Sequence, residues 1–470
     1  MQKKKLHIKS ALTLATSLYT IHVQAQINVN LPAANITART DYQQNFTSGT
    51  YTSALGLLPT IGVKSNTANF SNTLGGNGPA PLNLAHIKLV SINNLTVLGT
   101  FTEIALSTTN QNIFAAVASV ASGTVLNNLR LATAGFTWVA GTYTAELFFL
   151  APGLLGLGNV ITPATHTMNI IVPSFITPLT TAGTTSILVN NLSFYRTPAG
   201  ISTSKAISLT NTVNYRPSLQ TGNSNFSFST ALPHNSLPVT PVSSVATTLT
   251  AIPTATPITL STTAQGLTPV AGLAVPTNNS QTLNYAFSID ATKLKAGFLQ
   301  AGTYSVPITY TWNKPTATYP TGTLQAQDAG SLEVVVSDLS EIIANQSTVN
   351  LTFSTASHYQ NGVNQDMPAH LKLSKTTPYN VYVRATSANF ASGVNSVPLN
   401  VMRIGPMPGQ TGMQTVTLSA TAQQLINGAD PVIDRSLNIR YSIPASETSK
   451  LLNKPAGTYT TNIIFSFVAP

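Results

Sequence analysis

The sequence predicts an all-β chain of three tandem β-sandwiches. Three observations carry that prediction: an internal repeat spaced by about 155–161 residues, a two-residue alternation of apolar side chains after each repeat landmark, and no stretch patterned as a long helix. The repeat is clearest in Ala140-Gly141-Thr142-Tyr143, which recurs as Ala301-Gly302-Thr303-Tyr304 and as Ala456-Gly457-Thr458-Tyr459. A second landmark keeps the same register, since Tyr285, Phe287 and Ile289 align with Ile439, Tyr441 and Ile443. A third joins the outer copies: Val63 to Phe70 matches Val383 to Phe390, and Pro81-Leu82-Asn83-Leu84 matches Pro398-Leu399-Asn400-Val401. The middle copy has diverged most, and its Pro/Thr-rich stretch from Pro233 to Pro276 reads as loop-rich.

Each landmark opens a strand. Tyr143, Ala145, Leu147 and Phe149 share one face, as do Tyr304, Val306, Ile308 and Tyr310, and, in the third copy, Tyr459, Ile463, Phe465 and Phe467. The glycine before each tyrosine allows a turn that other residues resist. A tyrosine so placed buries its ring while its hydroxyl bonds upstream backbone, the logic of the tyrosine corner in immunoglobulin-like sandwiches. Ala291 to Leu299 and Glu447 to Leu452 read as the short helical turns that precede such corners. The expected organisation is a signal peptide over 1–25, then sandwiches over 26–173, 174–338 and 339–470.

Composition fits this and narrows the rest. Only 7% of the 470 residues are charged, against about 25% in ordinary soluble proteins, so Thr, Ser, Asn and Gln must cover the surface. The formal charge of +10 includes Lys3, Lys4, Lys5 and Lys9 of the leader, without which 18 basic residues stand against 12 acidic ones. The remaining charges are scattered singly and lack the basic face of a nucleic-acid groove. Met1 to Lys9 is a basic n-region and Ser10 to Val23 an apolar h-region, with cleavage expected after Ala25. That apolar run is too short to cross a bilayer, which needs about 20 residues, so no membrane span is expected after the signal is removed. With no cysteine in the chain, packing and ladder hydrogen bonds alone must hold an exported protein together.

No enzyme signature is present: the sequence has no Gly-x-Ser-x-Gly elbow, phosphate loop or zinc-binding His-Glu-x-x-His. No cofactor or metal is expected. His358, Asp366 and His370 form a local cluster best read as a polar loop rather than a ligand set. The glycines of 153–158 and of 75–78 read as loop and turn. Trp138 and Trp312 are expected in the core, their alternative being sugar-stacking platforms.

The third copy differs from the others in one respect. After the tyrosine strand, the first copy offers a closing strand at Thr165 to Val172 and the second at Ser331 to Val336, whereas the third stops three residues after Phe467. The last sandwich is therefore expected to lack its closing strand and to present a groove walled by Tyr459, Ile463, Phe465 and Phe467.

An exported chain whose last sandwich ends on such a Gly-Thr-Tyr strand resembles bacterial chaperone–usher pilus subunits, especially the spore-coat-U-like archaic class. The match covers about Leu437 to Pro470. The chain departs from that family in having three units and no disulfide. The resemblance implies a pilus or fimbrial subunit, exported through the periplasm to the cell surface. It further implies a periplasmic chaperone, then a neighbouring subunit, supplying the missing strand by donor-strand complementation. A host or surface glycan would be a ligand. Ile27, Val29 and Leu31 alternate either as a donor segment or, like Val349-Asn350-Leu351, as the first strand of a sandwich; the first-strand reading places the chain at a fibre tip. An array of secreted carbohydrate-binding sandwiches is the alternative, because the fold alone does not decide function.

Overall fold

The computed structural model describes residues 25–52, 60–73, 78–93, 99–117, 122–152, 160–315 and 324–469. The leader up to Gln24, the turn at Gly75 to Asn77 and the loop at 153–158 lie outside the described residues. The chain is an all-β, multi-sandwich protein whose longest described helical segments are seven residues, Ala291–Gly297 and the 3-10 turn Ala445–Leu451. Both fall where the sequence anticipates helical turns ahead of a tyrosine corner. Two compact units are distinguished, one formed by residues 1–174 with 277–279 and the other by the remainder.

In the first unit, one sheet runs in the order Ala25–Asn30, Thr165–Val172, Gly141–Leu150, Thr60–Ser65, Gln111–Ala116, Gly99–Phe101. The other runs Val160–Thr162, Tyr42–Thr52, Gly123–Leu131, Ala85–Ile92, Ile104–Ala105. Alternation puts Tyr143, Leu147 and Phe149 fully inside, the expected outcome for a strand with a side-chain period of two. Ala25–Asn30 is the first strand of this sheet, parallel to the closing strand with Ile27 opposite Met168 and Val29 opposite Ile170. Of the two readings of this segment, the structure takes the first-strand one.

The second unit holds two further pairs of sheets. In one pair, Gly183–Val189, Gln325–Val336, Gly302–Asn313, Arg216–Thr221 and Gln265–Gly266 form one layer, and Ile176–Pro178, Ile201–Asn211, Ser280–Ile289, Ala246–Thr250 and Ile258–Thr259 the other. In the other pair, Ser340–Ala344, Gly362–Lys375, Val432–Pro444, Arg403–Pro406 and Val416–Thr417 face a layer of only three strands, Gln423–Ala429, Tyr379–Ala385 and Ile463–Val468. Leu371, Tyr379, Val381, Val401, Ile439 and Tyr441 fill the space between them.

A cluster of charge joins these two sandwiches within the unit. Arg196 bonds Glu341 and, at 2.8 Å, Asp434, while Lys372 reaches Asp434 at 3.1 Å. In a chain this poor in charged residues, four are spent at one junction. Burial pushes the Asp434 carboxyl up, but hydrogen bonds from Arg196 and Lys372 outweigh it and hold it below the ordinary carboxylate value.

Candidate functional site: an open slot in the third sandwich

The three tyrosine corners form with the same spacing. Tyr143 accepts from the backbone N–H of Val139 at 3.1 Å, Tyr304 donates to the Gln300 carbonyl at 2.9 Å, and Tyr459 donates to the Pro455 carbonyl at 2.9 Å. The hydroxyl contact falls four residues upstream each time, because the glycine turn folds the chain back over the ring. Beyond the corner, the three copies part ways.

In the first sandwich, Gly141–Leu150 is flanked by the closing strand, with Tyr143 opposite Ile170 and Ala145 opposite Met168. In the second, Tyr304 stands opposite Val334 and Val306 opposite Leu332. Each closing strand is itself flanked on its far edge by the first strand of its sandwich, running parallel to it: Val29 opposite Ile170, and Ile187 opposite Val334. The tyrosine strand, the closing strand and the first strand thus lie side by side, and Tyr143 and Tyr304 are each 0% exposed.

The third sandwich has the outer two of these three without the middle one. Ile463–Val468 pairs with Tyr379–Ala385 on one edge, and among the described residues no strand lies on its other edge. The segment corresponding to the first strand, with Val349, Leu351 and Phe353 alternating, joins no sheet. These three side chains and Tyr459, Ile463, Phe465 and Phe467 are all only partly buried while packing on the third core. An apolar slot thereby lies beside the free edge of Ile463–Val468, the arrangement that invites strand addition.

The sequence-predicted wall residues are brought together, with one correction. The strand expected from Tyr459 through Phe467 is a continuous ladder only over Ile463–Val468. Thr460 instead makes an isolated bridge to Ala391. The first two tyrosine strands run unbroken because a closing strand carries their far edge; the third has no such support. For the same reason Tyr459, expected to be as buried as its counterparts, is only partly buried. Val349-Asn350-Leu351, read from the sequence as the first strand of the third sandwich, is a second correction: the segment pairs with no strand among the described residues, because the closing strand that flanks the first strands of the other two sandwiches has no counterpart here.

The other candidates resolve as structure. Trp138 is 1% exposed and donates to the Thr133 carbonyl, and Trp312 is 0% exposed and donates to the Tyr285 hydroxyl. Neither is a sugar-stacking platform. Asp366 pairs with Arg440 at 2.6 Å, His358 caps Ser354, and His370 turns into the core. Among the described residues no group of three or more metal-ligating side chains is gathered.

No protein-family model matches the chain, and no curated protein matches it. Its structural neighbours are pilus tip adhesins and pilins. It is similar to CfaE, the adhesive subunit of CFA/I fimbria of enterotoxigenic Escherichia coli, at 13% identity over 67% of this chain and 99% of that one, TM-score 0.28. It is similar to the CsuC–CsuE chaperone–tip adhesion subunit pre-assembly complex from archaic chaperone-usher Csu pili of Acinetobacter baumannii, at 13% identity over 62% and 99%, TM-score 0.29. The CooA pilin subunit from enterotoxigenic Escherichia coli matches at 16% identity over 35% and 99%, TM-score 0.24. At these levels of similarity, the functional reading rests on the geometry of the slot.

Proposed function

We infer that this chain is an exported, non-enzymatic subunit of a cell-surface fibre, whose third sandwich is completed by a strand from another polypeptide. One observation carries the reading: the same tyrosine strand is sealed by a closing strand in two copies and stands open in the third, where both facing walls are apolar and half-buried. A periplasmic chaperone would protect the slot after export, and a neighbouring subunit would then fill it. The first two sandwiches are left free for display toward a host or surface glycan. Ala25–Asn30 is used inside its own sandwich rather than offered to a neighbour, which supports a position at the fibre tip. Burial of both tryptophans removes the two stacking candidates of the carbohydrate-binding array.

The internal closing strands specify what the slot accepts. An incoming strand antiparallel to Ile463–Val468 sets a branched apolar residue opposite Tyr459, as Ile170 and Val334 do for their tyrosines, and a long aliphatic one two residues earlier, as Met168 and Leu332 do. The test is to append Gln325–Val336 as a second copy after Pro470, through a flexible linker. Completing the burial of four half-buried wall side chains contributes roughly 3–6 kcal/mol, a rise of about 10 °C or more in the melting temperature of the third sandwich. A scrambled strand of the same composition should give no rise. Equal melting with the appended and scrambled strands would show that the slot accepts nothing.

A further inference from the structure

His370 is buried at the base of the slot, 3% exposed, and touches both of its sides. Its ring packs edge-on against Phe465, with centroids 6.3 Å apart, and Phe465 is in the middle of one wall. Its Nδ1 lies 2.8 Å from Gln346 Oε1, and Gln346 leads directly into the Val349 wall. The backbone there is tied to the same point, since the Asn345 N–H donates to the His370 carbonyl at 2.8 Å and the Asn345 side chain to the Ala369 carbonyl at 2.7 Å. On its remaining side, Nε2 lies 2.9 Å from the Tyr441 hydroxyl.

The strand is distorted to place the ring there. Between Gly362–Lys375 and Val432–Pro444 the ladder is regular up to Met367 opposite Ile439 and resumes at Leu371 opposite Leu437, so residues 368–370 bulge against Asn438 alone. Ala369 takes φ of 49°, a left-handed conformation that a residue with a Cβ resists. Its N–H is held by Asn438 Oδ1 at 2.7 Å. The corresponding ladder of the second sandwich, Ile201–Thr210 with Ser280–Ile289, has no break. A bulge that re-aims one side chain through a strained residue is a built feature rather than slack.

We propose that His370 is a positioning residue for the incoming strand: its imidazole ties the two walls of the slot together, and seating the strand over it favours the neutral ring. This rests on the donor-strand reading above. The tautomer follows from the hydrogen bonds. Gln346 Nε2 donates to the Pro368 carbonyl at 3.3 Å, which turns Oε1 toward Nδ1, so Nδ1 carries the proton and Nε2 accepts from Tyr441. Protonation keeps the Nδ1 bond to Gln346 but turns Nε2 from acceptor to donor, so the Tyr441 hydroxyl must rotate to accept, and among the described residues no carboxylate bonds the ring to receive its charge. The charged groups on the elements packed around it are engaged elsewhere: Asp366 with Arg440, Lys372 with Asp434, and Arg435 with the Tyr379 hydroxyl. Phe465 and Gln346 bring no charge from the two walls. Burial already holds the imidazole below its ordinary pKa. A strand seated against Phe465 excludes more water and lowers it further. By linkage, strand binding is then strongest above the pKa of the open state and weakens as pH falls through it.

The experiment uses the full mature chain with and without the appended Gln325–Val336 strand. The melting-temperature gain from the strand is measured at pH 7.5 and pH 5.0 in the unsubstituted, His370→Asn and His370→Ala chains. The gain should fall by about half or more on acidification in the unsubstituted chain. His370→Asn, which keeps a donor toward Gln346 and stays neutral, should keep the gain and lose its pH dependence; His370→Ala should lose most of the gain at both values. A gain with the same pH dependence in the unsubstituted and Asn chains overturns the proposal while leaving the donor-strand reading intact. No gain at pH 7.5 in the unsubstituted chain overturns the reading itself. Proton NMR of the His370 ring gives a second measurement that needs no substitution. Its pKa should drop when the strand is appended, and an unchanged pKa overturns the proposal.

Discussion

The tyrosine corners offer a direct comparison between a sealed sandwich and an open one. Tyr304 is 0% exposed, packs at a steep angle against Phe228 and Phe298 at 4.7 and 5.1 Å between ring centroids, and donates to the Gln300 carbonyl. Replacing it by Ala deletes a fully packed aromatic and should cost about 3–5 kcal/mol, while Tyr304→Phe, which strands one buried carbonyl, should cost about 0.5–1.5 kcal/mol. Tyr459 makes the same hydroxyl contact but is only partly buried. Tyr459→Ala should therefore cost less, roughly 1.5–3 kcal/mol, because part of the ring is already in water. With a strand appended to fill the slot, the cost of Tyr459→Ala should climb toward that of Tyr304→Ala. Both tryptophans precede residue 339, so Trp312 fluorescence during urea unfolding reports the second sandwich. Hydrogen exchange at 379–385 and 463–468 reports the third. Equal costs for the two Ala substitutions in the chain without the added strand would show that Tyr459 is already sealed, and the slot would not exist.

Two further outcomes are expected. N-terminal sequencing of the exported protein should begin at Gln26, or its cyclised form; an intact Met1 would remove the export argument. Arg196→Met should weaken the junction within the second unit by about 1–2 kcal/mol in urea unfolding, since it leaves Glu341 and Asp434 partly buried without their shared cation. Because the Asp434 pKa is lowered in the folded state, that contribution is present above the unfolded carboxylate value, about 3.9, and is lost as pH falls through the folded one. The substituted chain should accordingly lose less stability on acidification than the parent, and an identical acid profile would refute the network's role.

Much of this architecture can be read from the residues because it is local. Gly302-Thr303-Tyr304 fixes a turn, a ring and a hydroxyl contact within a few positions, and the alternation after it fixes which face goes inside. Partnership across the sheet is less accessible. Alternation in Ile27, Val29 and Leu31 is satisfied equally by a donated segment and by a first strand, since a period of two names a buried face and not a neighbour. His370 reads from the sequence as one of three members of a polar loop cluster, because the bulge that turns it inward depends on Asn438, far along the chain, meeting the Ala369 N–H. The Arg196 clasp is hidden for the same reason, its partners lying at 341 and 434. The half-burial of Tyr459 follows from a missing neighbour, which no property of the tyrosine itself records.

The parallel pairing of first and closing strands also decides how tension passes along the molecule. In the second sandwich the chain enters the pair at Gly183 and leaves it at Val336, at opposite ends of seven matched residue pairs. A pull on the two ends drags these strands past each other lengthwise, so the pairs bear the load together instead of opening one after another. The six pairs between Ala25–Asn30 and Thr165–Val172 are oriented alike. In the third sandwich that lengthwise clamp is half-built, with Val349 to Phe353 waiting beside the slot. A strand arriving from another polypeptide would complete it and, in doing so, become the member through which traction on this chain is handed to the next.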